Sequence, residues 1–281
     1  MATTRTYDPT QYLGSAPHYR PGRPAYSHQL ESVLVHELGL DGHGRLLDVG
    51  CGPGILTTRL AGYFDAAVGL DPDADMLVEG RKAADAAGLT NVSWVQATAE
   101  ELPAGVPGQF RVITFGQSFH RMDELPVAHA VYEMLEPGGA VAMIAHSVEG
   151  RPKPLNPGHP PIPHDELRAL VLRYVGSLER NGQGFAGLRD HTWQDILVQT
   201  HFGQVEEVWA PGIPDLLRNT DSVISGYLSM SWSAPHLYGD RLDAFVAEAR
   251  AILAERSPDG LFWDWPGDTA IVIGRKPMDA P

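Results

Sequence analysis

Apolar residues recur at helical spacing over residues 25–40 (Leu30, Val33, Leu34 and Leu38) until Gly39 and Gly42 break the run. RLLDVG follows, a short continuous apolar stretch of the kind buried on both faces of a parallel sheet. A glycine turn then leads into ILTTRLAGYF, which reads as a helix. The alternation continues with AAVGLD as a second strand, residues 73–87 as a second helix, NVSWVQA as a third strand and FRVITFG as a fourth. A helix over residues 125–135 precedes a Pro-Gly-Gly turn and a fifth strand, AVAMIAH. Strands alternating with helices in this way predict a parallel sheet covered on both faces.

The pattern changes near residue 148. Residues 149–163 contain six prolines, which excludes a helix interior and a central strand. Helices are expected over 164–178 and 192–200, a strand at QVEEVWA, largely helical chain over 213–256, and a closing strand at TAIVIGRKP. The first 24 residues hold three tyrosines and four prolines with little periodicity, and read as an arm. The expected organisation is an arm (1–24), a ligand-binding α/β core (25–147), a Pro-rich, partly helical insertion or lid (148–202), and a C-terminal part (203–281). That last part completes the core and adds a helical segment to the substrate pocket.

Composition narrows the function classes. With 35 Asp and Glu against 21 Lys and Arg, the 281-residue chain carries a formal charge of −14. Phosphate contacts need a basic face, so a nucleic-acid partner is not expected. The lone Cys51 excludes an intramolecular disulfide. No apolar run approaches the roughly 18 residues of a membrane span, and the N-terminal stretch lacks the apolar centre of a signal peptide. A cytoplasmic protein without a membrane partner is the expectation.

LLDVGCGPG is the most informative stretch. A buried strand ends in Asp48, and Gly50, Gly52 and Gly54 alternate before a helix, so the backbone can approach a ligand at the carboxyl end of the first strand. A dinucleotide fingerprint would place a third small residue at position 55, which is Ile55. Asp48 would repel a pyrophosphate and suits a ligand carrying an ammonium. The second strand ends at Asp71, 21 residues after Gly50, the spacing at which an acidic residue meets ribose hydroxyls. The site therefore asks for a nucleoside with a positively charged tail. S-adenosylmethionine (SAM) fits that description and NAD fits poorly.

LLDVGCGPGILT, GLDPDADML, VQATAEELP and ITFGQSFHRMDE…MLEPGG together resemble a class I SAM-dependent methyltransferase of the group acting mostly on small molecules. The likeness covers roughly residues 25–146, and TAIVIGRKP resembles that family's antiparallel last strand. It implies a Rossmann-like, mostly parallel seven-stranded sheet, and metal-independent in-line transfer from SAM to a small-molecule acceptor, leaving S-adenosylhomocysteine. By position, Asp48, Gly50 and Gly52 would line the methionine moiety, and Asp71 would hold the ribose. Pro72 and Met76 would pack near adenine, whose amino group Thr98, Ala99 or Glu100 would meet. Gln117 would close the methionine side. Tyr19 and Arg23 resemble a segment folding over the cofactor, with Arg23 paired to its carboxylate. A homodimer is compatible with all of this.

His120, just beyond the fourth strand, is the candidate general base, because a histidine titrates near neutrality; a loop residue packing on Phe119 is the alternative. His159, His164, Asp165 and Glu166 match no familiar ligand spacing, so no metal is expected. Tyr227, Trp232, His236 and Tyr238 either line an aromatic substrate pocket or pack a lid. Cys51 reads as a small packing residue. A SAM-fold binding or regulatory protein without transfer chemistry is the rival function.

Overall fold

In chain order the elements are α1 (Ala16–Gly22), α2 (Leu30–Leu38), β1 (Arg45–Val49), α3 (Ile55–Leu60), β2 (Ala66–Asp71), α4 (Ala74–Ala86), β3 (Val92–Gln96), β4 (Phe110–Gly116), α5 (Glu124–Met134) and β5 (Leu135–Ser147). They continue with α6 (His164–Val175), α7 (Trp193–Leu197), β6 (Gln204–Ala210), β7 (Leu217–Asn219), α8 (Thr220–Leu228), α9 (Leu242–Arg256), β8 (Leu261–Trp263) and β9 (Asp268–Arg275). This computed structural model describes residues 7–147, 158–178 and 192–279. The start of the expected arm (1–6) and two stretches of the expected insertion (148–157 and 179–191) lie outside the described residues.

Seven strands form one sheet in the order β3-β2-β1-β4-β5-β9-β6. The pairs β3/β2, β2/β1, β1/β4 and β4/β5 are parallel, and β9 runs antiparallel to both β5 and β6. The expected Rossmann-like, mostly parallel sheet with an antiparallel last strand is the architecture found. Alternation sends the two faces into separate cores. Leu47, Val49, Ile113, Phe115 and Met143 pack on one side with α5 and α7, while Leu46, Val112, Ala142 and Ile144 pack on the other with α2 and α3. Both faces of the central strands are thus dry, which is why their sequences show no polar alternation.

Beyond β5 the chain builds a third apolar cluster from α6, α8, α9 and β8, centred on Leu170, Val171, Ile224, Tyr238, Phe245 and Phe262. The stretch 213–256 is less uniformly helical than its sequence predicts: β7 pairs with β8 as a small antiparallel sheet, and short 3-10 turns join α8 to α9. Strands of three residues are too short to register as a period of two. Tyr227, Trp232 and Tyr238 pack within or against this cluster, with Tyr238 4.3 Å from Phe245.

The N-terminal stretch is helical at α1, with Pro17 in its first turn, where a missing N–H costs nothing. The helix lies on α8 so closely that a Cβ on Gly22 would stand 2.3 Å from the Ser225 backbone. Ser15 Oγ donates to the Leu228 carbonyl (2.8 Å), and Arg218 donates to the Gly22 carbonyl. No helix among the described residues is long and apolar enough to cross a membrane.

Candidate ligand site at the strand reversal

Strand order reverses between β1 and β4, and the carboxyl ends of such strands are where open α/β sheets bind ligands. Two adjoining cavities open there, of about 360 and 110 Å3. They share Tyr19, Gly50, Gly52, Gly116 and Gln117.

Three positive-φ glycines shape the turn after β1, and they do different work. A Cβ on Gly50 would meet Ser118 Cβ at 2.6 Å, and one on Gly54 would meet Trp94 Cη2 at 2.3 Å, so both are held small by protein packing. Gly52 is different: with φ +53, its Cβ would have only Tyr19 Cε1 within reach, at 4.0 Å. The space in front of Gly52 belongs to the cavity. Gly52→Asn, a residue that tolerates the left-handed backbone found here, is therefore expected to fold while lowering ligand affinity at least about tenfold, since its side chain fills space that nothing else occupies. Calorimetric titration of parent and variant checks this.

Asp71 ends β2 almost buried. One carboxylate oxygen accepts from the Gly52 N–H (2.8 Å) and the other from the Asp73 N–H (2.9 Å). Each oxygen keeps a further lone pair for the cavity. Burial pushes the carboxyl up to about 6, against these hydrogen bonds. Next to it, Asp73 caps α4 by accepting from the N–H groups of Asp75 and Met76. Asp8, Asp71, Asp73 and Glu100 face the large cavity, and Arg121 is the one guanidinium among its lining residues. That balance suits a neutral or cationic ligand and opposes a pyrophosphate.

Asp48 is buried in the floor of the small cavity. It accepts from the Thr57 N–H (3.1 Å), Thr57 Oγ1 (2.6 Å) and Thr114 Oγ1 (2.9 Å). Burial raises its pKa and these bonds oppose the rise. Asp48 thus knits β1 to α3 and β4 as well as facing the cavity. Asp48→Ala should cost about 1–3 kcal/mol of unfolding free energy, the penalty for stranding buried donors; a denaturant melt measures it.

The other sequence candidates separate clearly. Tyr19, Gly50, Gly52, Asp71, Pro72, Met76, Thr98, Ala99, Glu100 and Gln117 all line the large cavity, while Arg23 and Asp48 line the small one. One Glu100 oxygen is already engaged by the Asp123 N–H (3.0 Å). Gln117 is the only non-glycine with positive φ (57°) among the described residues, and such strain in a residue at a pocket is a mark of function. His120 lines neither cavity. It sits on the 3-10 turn Phe119–Arg121, whose geometry turns Ser118, Arg121 and Met122 to the large cavity and buries Phe119. Cys51 is buried beside the small cavity and burial drives its thiol well up, away from a reactive thiolate.

Sequence reasoning missed Tyr7, Gln11 and Tyr12, which cover the large cavity from the N-terminal side. Tyr12 meets Tyr19 edge to face at 6.3 Å and lies under Arg121 at 5.2 Å. It also missed Tyr26 and His146 in the small one. The tyrosine density of the arm was the available signal for the first group.

Comparison with known proteins agrees with this geometry. Residues 46–139 match the family described as "Methyltransferase domain". The resemblance read from the motifs is thereby confirmed. The chain carries a class I SAM-dependent methyltransferase domain. Among curated relatives, the ubiquinone biosynthesis O-methyltransferase of Erwinia tasmaniensis is 37% identical over 114 residues, 40% of this chain and 46% of that one. The protein of the same name from Methylococcus capsulatus is 38% identical over 98 residues, 34% and 41% of the two chains. This chain spans less than half the length of either relative. Among solved structures, the YcgJ protein of Bacillus subtilis has a TM-score of 0.50 at 18% identity, covering 89% of this chain and 99% of its own. The [4+2]-cyclase SpnF has a TM-score of 0.52 at 16% identity, covering 98% and 99%. These two share the fold of the methyltransferase domain. Among the described residues, no group of three His, Cys, Asp or Glu side chains could hold a metal ion.

Proposed function

We propose that the chain binds SAM across the two cavities and transfers its methyl group to a small-molecule acceptor. The observation that carries this reading is a buried polar atom with no protein partner: Arg23 Nε, beside the small cavity. Leaving such a donor unpaired costs a few kcal/mol at most sites, and a ligand carboxylate relieves it. The guanidinium is already oriented, stacked over Tyr19 at 4.5 Å and donating through Nη2 to the Ser229 carbonyl (2.8 Å).

Adenosine would lie in the large cavity, with its ribose hydroxyls donating to Asp71 and adenine between Met76, Pro72 and Ala99. The amino-acid tail would reach past Gly52 to Arg23. Bound there, SAM supplies a methyl group already activated by its sulfonium. What remains for the protein is to hold the acceptor in line and exclude water. Tyr12 and Tyr19, which line the large cavity, would cover the site. Incubation with methyl-labelled SAM and a fractionated cell extract tests the reading; label moving into the small-molecule fraction supports it, and label staying on SAM refutes it.

A second reading, binding without transfer, is favoured by two observations. His120 lines neither cavity, and the fold is shared by a structure named as a cyclase. Tight S-adenosylhomocysteine binding together with no transfer would select it.

A further inference from the structure

Arg23 is held in place by chain that lies outside the seven-stranded sheet. It follows α1, which has seven residues, too few to keep a helix in water unaided. The last carbonyls of such a helix have no partner within it. One of them, on Gly22, accepts from Arg218 Nη2, which also donates to the Ser222 carbonyl in the first turn of α8. Gly226 leaves room for this bridge: a Cβ there would stand 2.8 Å from the Gly22 oxygen and 2.9 Å from Arg218 Nη2.

Arg218 Nη1 meets Asp264 Oδ2 at 3.3 Å, and the two side chains are only 10% and 13% exposed, so solvent screens the pair little. The frame behind the pair is backbone. Arg218 lies on β7 opposite Phe262 of β8, and the Asp264 N–H donates to the Leu216 carbonyl (3.0 Å). Two guanidinium nitrogens thus serve three acceptors on three stretches of chain, a task for a planar fork rather than a single ammonium.

The segment that carries Arg218 also grips Arg23 itself. The backbone turns out of α1 at Arg23, whose N–H donates to the Tyr19 carbonyl (2.9 Å). Its Nη2 donates to the Ser229 carbonyl just after α8 (2.8 Å). Arg218 therefore fixes the peptide before Arg23, and Ser229 fixes the far end of its side chain, while Nε stays unpaired between them. We propose that Arg218, seated on Asp264, is a positioning residue that sets Arg23 so that Nε meets the carboxylate of SAM. This rests on the SAM reading above. Electrostatics agrees with it. Burial lowers the pKa of the Arg218 guanidinium, Asp264 opposes the fall, and the charge of Arg23 adds to it. That repulsion is answered at Arg218 by Asp264, and a ligand carboxylate would answer it at Arg23.

Calorimetric titration of the full chain with S-adenosylhomocysteine and with 5′-methylthioadenosine, which lacks the amino-acid tail, tests this. Arg218→Lys keeps a charge for Asp264 but not the fork. It should bind S-adenosylhomocysteine about 3–10-fold more weakly than the parent, as one misaligned hydrogen bond would. Arg218→Met/Asp264→Asn removes the pair without stranding a charge. Its loss should be about tenfold or more, yet no larger than that of Arg23→Met, through which Arg218 acts. Both should bind 5′-methylthioadenosine as the parent does. Added to Arg23→Met, either replacement should cost S-adenosylhomocysteine binding less than about twofold more. Three results would overturn the proposal: equal losses for the two ligands, as a merely structural role would give; S-adenosylhomocysteine affinity unchanged by both replacements; or an undiminished loss when Arg23 is already methionine. Unchanged S-adenosylhomocysteine binding in Arg23→Met alone would overturn the placing of the SAM tail, and this proposal with it.

Discussion

Asp71→Ala is expected to weaken S-adenosylhomocysteine binding by about 10²-fold or more, because hydrogen bonds to a charged group contribute about 1.5–3 kcal/mol each. The carboxylate has two uncommitted lone pairs aimed at the cavity, and it also anchors the Gly52 N–H at 2.8 Å. Part of the loss will therefore appear as a looser glycine turn. A 2′-deoxy analogue separates the two contributions: parent protein should discriminate against it and Asp71→Ala should not.

The same residue sets a pH dependence. Its carboxyl is raised to about 6 by burial, and ribose hydroxyls stabilise only the ionised form, so binding lowers that value and releases a proton. The sign follows: below pH 6 the free protein holds a proton that must leave, and affinity falls as pH falls. Between pH 7.5 and pH 5 the loss should be about tenfold, and binding heats should depend on buffer ionisation enthalpy. In Asp71→Asn both effects should vanish. An affinity independent of pH in the parent would contradict the ribose assignment.

Arg23→Met is the second large effect. Methionine keeps an unbranched apolar stem while removing the charge, its stacking over Tyr19, the orphan Nε and the bond to the Ser229 carbonyl. Losing a charge-assisted contact to a carboxylate should cost about 1.5–3 kcal/mol, or roughly 10–150-fold in S-adenosylhomocysteine affinity. 5′-Methylthioadenosine lacks the amino-acid tail and should bind parent and variant alike. If it loses as much as S-adenosylhomocysteine does, Arg23 acts only by seating α1 on α8.

How far the sequence foretold this site depended on where each residue's signal comes from. The central strands were legible because burial on both faces removes polar alternation, and the glycine turn because Gly50, Gly52 and Gly54 follow a strand directly. Asp71 was legible by its spacing from Gly50. Tyr7 was not, and neither was Tyr12, which gains its place by tertiary contact with Tyr19 and Arg121 rather than by any local period. His120 was expected at the ligand on its position in the loop. In the structure it lies on a 3-10 turn whose neighbours Ser118, Arg121 and Met122 line the large cavity.

The central claim is that these two cavities together are one site for an adenosyl amino acid. Isothermal titration of the full chain with S-adenosylhomocysteine, with NADH run in parallel, tests it most directly. The account predicts one saturable site for S-adenosylhomocysteine, weakened by both Asp71→Ala and Arg23→Met, and no binding of NADH. Binding of NADH, or S-adenosylhomocysteine binding indifferent to both substitutions, would contradict it.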